Sequence, residues 1–183
     1  MANDNDAKIK IIPYIEVNGM RTFSDSVIMG LFDRVKDESL YPVVFYEGTV
    51  TTREGFMMLM KEHLNHLYVL TRDKKIFGFV WLNRFEGRTA HLHFCTFRNS
   101  WGTGSNVMSA KKTLSCLMNL KADNGYFYDL LIGFLPVWNT HAIGFVKACG
   151  AKSSRIIPNA IYNMTSGESE PAEFIYLTRE DLE

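Results

Sequence analysis

The chain has 183 residues, of which 46% are hydrophobic and 13% aromatic, so its composition lies well outside the range of disordered proteins. Lysine plus arginine and aspartate plus glutamate both number 20, and the resulting zero net charge excludes the broad basic surface typical of nucleic-acid-binding proteins. No run of 18 apolar residues occurs, and the first six residues are polar and acidic, unlike a secretory leader. We therefore expect a cytoplasmic, intracellular protein with neither a membrane nor a nucleic acid as partner.

The start of the chain predicts a tail, a strand and a helix. Residues 1–7 are expected to form a flexible tail, and residues 8–183 a single domain around one core. Residues 9–17 predict a strand, and Pro13 within it favours the edge of a sheet because proline cannot donate a ladder hydrogen bond. Residues 24–35 predict a helix, since their apolar side chains recur every three to four positions.

A second helix is predicted after a short apolar connector at residues 41–46. Thr51 and Glu54 have the spacing of a capping box, in which the two side chains satisfy free N–H groups at a helix start. We expect this helix to run to about Leu64, with its apolar side chains, Leu64 included, facing the core.

Three strands are predicted next, at residues 67–71, 75–85 and 89–96. The turns between them are short, which favours antiparallel neighbours. The third strand leads into Trp101-Gly102-Thr103-Gly104-Ser105-Asn106 and then into a helix at about residues 105–120. Glycine allows a close approach to the main chain, and the first N–H groups of a helix have no intrahelical partner. The turn could therefore hold an anion such as a pyrophosphate, although a tight turn without a ligand is the simpler interpretation of two glycines alone.

An apolar strand is predicted at residues 126–135, after the helix that follows the glycine turn. A helical crossover makes this strand parallel to the strand at residues 89–96, and such a pair opens a cleft at its carboxyl ends. A helix at about residues 140–149 follows, ended by Gly150.

The chain closes with a predicted hairpin of two strands, at residues 152–162 and 173–178. The linking segment, residues 165–172, contains glycine, proline, serine and glutamate and is expected to be mobile. The three cysteines, Cys95, Cys116 and Cys149, are odd in number and lack Cys-x-x-Cys spacing, so we expect buried, reduced thiols.

Two short segments carry a resemblance to the GCN5-related N-acetyltransferase (GNAT) superfamily. The first is similar to the acetyl-CoA pyrophosphate loop of that family, Gln/Arg-x-x-Gly-x-Gly/Ala before a helix. Gly102 and Gly104 match its glycines, whereas the Gln/Arg position holds Asn99, with Arg98 beside it. By this resemblance Arg98, Asn99, Gly102, Thr103, Gly104 and Ser105 would bind the phosphates of acetyl-CoA.

The second segment begins at Asn139 and resembles the family pattern Asn-x-x-Ala-x-x-x-Tyr-x-x-x-Gly-Phe. Asn139, Ala142 and Gly150 fall in register, and the resemblance implies that Asn139 touches the pantetheine arm of acetyl-CoA. The Tyr position, a frequent general acid in the family, holds Val146, which has no proton to give. Tyr126, Tyr128 or Tyr162 could replace it only if the fold brings one near the sulfur.

Together these resemblances imply a mixed α/β (α+β) fold in one GNAT-like domain. Its central sheet would be mixed and mostly antiparallel, with one splayed parallel strand pair and helices on both faces. The resemblance further implies that a main-chain N–H from Phe94 to Thr96 polarises the thioester carbonyl of acetyl-CoA. Trp101, inside the glycine turn, could either cover the cofactor or fill part of its channel.

His91 and His93 are the candidate bases. They are two positions apart on a strand and so share one face, and histidine exchanges protons near neutral pH. Packing in a cleft wall is the alternative role for both. A His91-x-His93 metal site would need a third ligand that the sequence does not supply, so no metal is expected.

Two functions follow from these expectations. The first is an acetyl-CoA-dependent N-acetyltransferase that acts on an amine acceptor by direct transfer, without a covalent intermediate. The second is an inactive protein of the same fold that serves as a binding or assembly module with protein partners. A diffuse similarity to GNAT-like proteins of tailed bacteriophages makes a bacteriophage particle, and hence the virion, a possible setting for the second.

Overall fold

The computed structural model describes residues 8–102 and 104–182, with the backbone but not the side chain of Ser105. The predicted tail at residues 1–7 and the predicted phosphate ligand Thr103 therefore lie outside the described part. None of the helices in the described ranges is long and apolar enough to cross a membrane.

One sheet organises the described chain. The strands are β1 (Ile9–Pro13), β2 (Glu16–Val17), β3 (Met20–Arg21), β4 (His66–Arg72), β5 (Lys75–Glu86), β6 (Thr89–Thr96), β7 (Lys121–Ala122), β8 (Gly125–Tyr126), β9 (Leu130–Pro136), β10 (Lys152–Asn163) and β11 (Glu168–Thr178). Seven of them form the main sheet in the order β1-β4-β5-β6-β9-β11-β10. Its neighbours are antiparallel except β6 and β9, which are parallel. The predicted mixed sheet with one parallel pair is confirmed.

Helices cover both faces of this sheet, as predicted. They are α1 (Asp25–Asp37), α2 (Tyr41–Val44), α3 (Arg53–Lys61), α4 (Gly104–Met118) and α5 (Thr140–Ala148), with single 3-10 turns at Arg98–Ser100 and Glu180–Leu182. Helices α1 to α3 pack on one face, and α4 packs on the other. On that second face Phe145 of α5 contacts Phe94 of β6, with ring centroids 5.7 Å apart.

Strand alternation divides the buried side chains between two cores. In β4, Leu67 and Val69 face α1 to α3, whereas Tyr68 and Leu70 face the opposite side. Successive side chains of a strand point to opposite faces, so a strand that is covered on both sides is apolar at nearly every position. The sequence of β4 follows this pattern, because five consecutive residues from Leu67 to Thr71 are buried.

The core beneath α1 to α3 is dominated by packed aromatic rings. Phe32, Phe45, Phe56 and Phe79 lie with neighbouring ring centroids 5.6–5.8 Å apart. Phe56 and Phe79 are fully buried. Burial of a large apolar side chain contributes about 1.5–3 kcal/mol, so this cluster stabilises the N-terminal half of the fold strongly.

The observed ends of several N-terminal elements differ from the predicted ones. Thr52, not Thr51, caps α3, because its Oγ1 accepts a hydrogen bond from the Gly55 N–H at 3.0 Å. Helix α3 ends at Lys61, so Leu64 is 57% exposed instead of facing the core. The apolar connector predicted at residues 41–46 contains the short helix α2.

The C-terminal strands also differ from their predictions. Strand β9 begins only at Leu130, because β7 and β8 form a small hairpin that takes up Gly125–Tyr126. Strand β11 begins at Glu168, so residues 168–172 of the segment predicted to be mobile belong to a strand that pairs with β10. Its exposed polar side chains hid this pairing, since they show no alternation that marks a strand.

Candidate active site

The parallel strands β6 and β9 part in the middle of the sheet. They pair only from Thr89–Leu130 to His91–Ile132. Beyond His91, β6 has no strand partner on this side among the described residues, so its edge N–H and C=O groups there are open to a ligand, except the Thr96 carbonyl oxygen, which accepts from Trp101. The predicted splay at the carboxyl ends of this pair is confirmed.

A cleft of about 740 Å³ opens where the strands part. One wall is formed by the ends of β6 and β9, another by the start of α4, and a third by α5. Five of the predicted cofactor-binding residues line it: Phe94, Thr96, Gly102, Gly104 and Asn139. The structure thus brings together residues that lie up to 45 positions apart in the sequence.

The glycine turn is held against the end of β6 by Trp101. The Trp101 Nε1–H donates to both the carbonyl oxygen and Oγ1 of Thr96, at 3.0 and 3.1 Å. Gly102 has φ +75°, a left-handed conformation that glycine adopts without strain. Because a cleft of about 740 Å³ remains beside it, the 44% exposed indole forms part of the wall and does not fill the channel.

Arg98 and Asn99 lie outside the residues that line the cleft. The Arg98 Nε–H donates to the Glu38 carbonyl oxygen at 2.8 Å, and its main-chain N–H donates to Glu38 Oε2 at 2.5 Å. Asn99 Nδ2 donates to the Ile76 carbonyl oxygen at 3.3 Å and borders a separate hollow of about 240 Å³ with Arg72 and other residues. Their phosphate-binding role stays a prediction. In this conformation both side chains donate to main-chain carbonyl oxygens of other segments and so fix the loop in place.

Asn106 is a cleft residue that the sequence analysis did not single out. It lies in the first turn of α4, is only 7% exposed, and its Oδ1 has no hydrogen-bond partner among the described residues. A buried polar atom without a partner costs about 1–3 kcal/mol, so such atoms are rare and mark places where a ligand or water completes the site. The sequence feature that could have identified Asn106 is its position at the start of the helix, two residues after Gly104.

Asn139 begins α5 beside the cleft. Its Oδ1 accepts a hydrogen bond from the Ala142 N–H at 3.2 Å, which caps the helix. Among the described residues its Nδ2 has no hydrogen-bond partner, so a donor remains for a ligand. Val146 lies about two turns further along the same helix and also lines the cleft.

The tyrosines of the cleft are not those that the sequence analysis considered. Tyr126, Tyr128 and Tyr162 do not line it, whereas Tyr46 and Tyr176 do. Burial raises the pKa of the Tyr46 phenol above its ordinary value. Nothing in the sequence could mark Tyr46 and Tyr176, because one follows α2 and the other lies in β11, 130 residues later.

His91 and His93 lie on the face of β6 that α1 to α3 cover, but only His93 lines the cleft. His91 is near Phe134, with ring centroids 6.1 Å apart, and burial lowers its pKa. His93 stacks on Trp81 at 4.5 Å, with the ring planes 9° apart. The pairing of the two histidines on one face is as predicted, and their catalytic role stays a prediction.

A chain of amides fixes the protonation of His93. Its Nε2 lies 3.0 Å from Asn83 Oδ1, and the Asn83 Nδ2 group donates to Asn65 Oδ1 at 3.2 Å. The Asn83 Oδ1 can only accept a hydrogen bond, so His93 carries its proton on Nε2. The Nδ1 of His93 is then unprotonated and keeps a lone pair. Burial, reinforced by the charges of His91 and Arg84, lowers the pKa of His93 to about 4, so the ring is neutral at pH 7.

The cysteines are placed differently from the expectation in one case. Cys95 and Cys149 are buried, and burial raises their thiol pKa values to about 12 and about 11. Both are therefore protonated core residues. Cys116 is exposed on α4, so the prediction that all three thiols are buried is wrong. No group of three His, Cys, Asp or Glu residues among the described ones is arranged to hold a metal ion.

Comparisons with known proteins support the architecture. No protein-family model matches the sequence, and no curated protein matches it. Among solved structures, a chimaera of the Vibrio cholerae spermidine N-acetyltransferase SpeG and hSSAT superposes with a TM-score of 0.70 and 12% identity, over 95% of this chain and 97% of that chain. The chain has the GNAT fold.

Two structures solved with coenzyme A share this GNAT fold. The Vibrio cholerae spermidine N-acetyltransferase in complex with CoA and spermine has a TM-score of 0.66 at 12% identity, over 95% of this chain and 97% of its own. RimL, a ribosomal L7/L12 alpha-N-protein acetyltransferase in complex with CoA, also has a TM-score of 0.66 at 12% identity, over 87% and 92% of the two chains. Such low identity establishes a common fold and leaves activity to be argued from the site.

Proposed function

We propose that the protein is an acetyl-CoA-dependent N-acetyltransferase. The observation that carries this proposal is the cleft of about 740 Å³ where β6 and β9 part, because the start of α4 and the start of α5 both open into it. Structural neighbours of the same fold were solved with CoA in complex, which supports the same cofactor here.

The cleft suits the parts of acetyl-CoA in turn. The first N–H groups of α4 have no partner within the helix, and with the helix dipole they attract a pyrophosphate at Gly104. The pantetheine arm carries amides, which match the open edge of β6, Asn139 Nδ2 and the unpartnered Asn106 Oδ1. Acetyl-CoA supplies the activated acetyl group, and these residues would hold and orient it.

The residues around the cleft also suit the transfer. As the new C–N bond forms the thioester C–S bond breaks, the amine nitrogen loses one proton, and the departing sulfur gains one. A main-chain N–H of β6 beyond His91 would stabilise the negative charge on the carbonyl oxygen. His93 is the histidine of β6 that lines the cleft, and its Nδ1 would accept the proton of the amine, although its low pKa makes it a weak base.

The sulfur has two candidate proton donors. Val146 provides none, but the phenol groups of Tyr46 and Tyr176 both line the cleft. A phenol carries its proton at neutral pH and can pass it to a departing thiolate, and burial keeps the Tyr46 phenol in this protonated form. We propose that one of these two tyrosines takes the part that the Tyr of the family pattern would play.

A thermal-shift experiment with two matched glycine variants tests the cofactor site. A ligand present at a hundredfold excess over its Kd stabilises a protein by about 2.7 kcal/mol, so acetyl-CoA is expected to raise the Tm of the natural protein. Gly104→Trp should remove this shift, because a Cβ at Gly104 meets nothing within 4 Å and the ring can extend into the cleft.

Gly144→Trp is the control. Gly144 is also helical, its added Cβ also meets nothing within 4 Å, and it does not line the cleft. This variant should keep the full acetyl-CoA shift. An unchanged Tm of the natural protein at millimolar acetyl-CoA would refute the proposed function.

An inactive binding module is the second candidate, and Val146 on the cleft wall favours it. In this case acetyl-CoA would bind without turnover of any amine, and the protein would be recovered in complex with protein partners. Its placement in a bacteriophage particle stays a prediction. A rise in Tm on addition of acetyl-CoA, together with no acetylated product from any amine, would support this alternative over the enzyme.

A further inference from the structure

The walls of the cleft are free of charge. Among the described residues that line it, none is an aspartate, glutamate, lysine or arginine. On the side away from α4 the lining is apolar or aromatic and includes Leu40, Val43, Val44, Trp81, Phe134 and Tyr176. An acceptor that reaches the thioester from this side therefore meets hydrocarbon and rings.

Two carboxylates close to the cleft are held by other groups, and a third, Glu47, follows Tyr46 but lies outside the lining. Glu38, two residues before Leu40, accepts hydrogen bonds from the Arg34 Nε–H and the Arg98 main-chain N–H at 2.6 and 2.5 Å. Glu173, paired with Leu135 in the sheet, binds Lys147 Nζ at 2.5 Å. Neither carboxylate is available to a cation in the cleft.

Electrostatics then decides which amine can enter. A polyamine carries several ammonium groups at pH 7, and an ammonium moved from water into protein without a counter-charge loses much of its favourable hydration. A single amine group on a hydrocarbon body can enter as the free base and gains from burial of its apolar part. Aromatic walls favour an aromatic body further, through ring packing.

On the basis of the proposed function, we infer that the acceptor is a monoamine carried on an uncharged, apolar or aromatic body, and not a polyamine. This separates the protein from structural neighbours of the same fold that are spermidine N-acetyltransferases. Among the described residues, no carboxylate that could pair with a polycation lines the cleft of this chain.

Three acceptors test the inference: 2-phenylethylamine, phenylalanine and spermidine, each with acetyl-CoA and product detection by mass spectrometry. Phenylalanine has the same ring and amine as 2-phenylethylamine but adds a carboxylate. We expect kcat/KM for 2-phenylethylamine to exceed that for spermidine about 100-fold, and phenylalanine to be a poor acceptor.

A charge placed in the wall sharpens the test. Val43 lines the cleft and is 38% exposed, so Val43→Glu adds a carboxylate there at little risk to folding. It should raise kcat/KM for spermidine about tenfold and lower that for 2-phenylethylamine. Val27→Glu, at a residue of 36% exposure on α1 outside the cleft, should change neither.

The outcomes separate the two proposals. If acetyl-CoA raises the Tm but spermidine is the better acceptor, or none of the three amines is acetylated, the inference about the acceptor is wrong and the cofactor site stands. If acetyl-CoA does not raise the Tm, the proposed function fails and the inference fails with it.

Discussion

The two faces of the sheet are built differently. Beneath α1 to α3, Phe32, Phe56 and Phe79 pack ring against ring and are almost completely buried. On the other face, Phe145 and Phe94 meet at 5.7 Å but are only partly buried, because they border the cleft. The rings beneath α1 to α3 therefore stabilise the fold strongly, whereas the region around Phe94 and Phe145 leaves room for a ligand at the expense of packing.

The largest expected effect is on the packed face. Phe56→Ala removes a fully buried ring and should lower the free energy of unfolding by about 3–5 kcal/mol. Phe145→Ala should lower it by about 1–2 kcal/mol, because the lost ring already faces open space. Urea denaturation of both variants measures the difference, and equal losses would contradict the division between the faces.

Acid should weaken the protein through His93, which lies between the two regions. Its pKa is about 4 in the folded state and 6.5 for an unperturbed histidine, so the unfolded chain binds the proton first. Stability from the neutral ring is complete above about pH 6.5 and should fall, by about 3 kcal/mol, as the pH drops toward 4. Denaturation curves from pH 7 to pH 4 measure this loss.

His93→Gln is the control for that experiment, and its stability should decline less over the same pH range. A second variant, Asn83→Asp, places a carboxylate 3.0 Å from His93 Nε2 and should raise the pKa of the histidine. A proton NMR titration of the ring measures that pKa. An unchanged pKa in Asn83→Asp would contradict the assigned amide chain.

On the open face, Asn106→Leu should separate binding from stability. The change removes a buried polar atom without a partner, so the free energy of unfolding should stay equal or rise by up to about 1 kcal/mol. Affinity for acetyl-CoA should fall about tenfold, equivalent to about 1.4 kcal/mol, because an acceptor in the cleft is lost. Isothermal titration calorimetry and thermal unfolding on the same samples decide between this result and a purely structural Asn106.

The smallest effect is expected at Trp101. Trp101→Phe keeps a ring in the wall but removes the N–H that donates to Thr96, and a net hydrogen bond at an exposed site contributes about 0.5 kcal/mol. The Tm should change by no more than a few degrees, and acetyl-CoA should bind within about threefold of its natural affinity. Complete loss of binding would show that the indole contacts the cofactor directly.

Local sequence patterns predicted the bounds of an element correctly where the burial of one face or a turn at its end determined those bounds. The bounds of β6 were predicted correctly because its polar and apolar residues alternate between two turn signals. The predicted helix at residues 140–149 likewise placed Asn139 directly before a helix start, where the structure has it. In contrast, β11 was predicted five residues short, since its polar first half pairs with β10 without any pattern of burial.

The cleft could be expected from the sequence only in outline. A strand, a glycine turn and a helix predicted the parting of β6 and β9, because handed crossovers constrain that geometry. The sequence predicted only some of the residues that line the cleft. Arg98 and Asn99 were chosen because they fall at or beside the Gln/Arg position of the family's pyrophosphate loop, yet the main-chain carbonyls of Glu38 and Ile76 bind them outside the cleft.

By itself the sequence determined the order of strands and helices, the parallel pair and the glycine turn, because each depends on residues close together in the chain. Only the tertiary structure decided that Tyr46 and Tyr176 reach the cleft, that Trp101 leaves it open and that its walls carry no charge. These facts depend on side chains from distant segments meeting in space, and no local propensity encodes such a meeting.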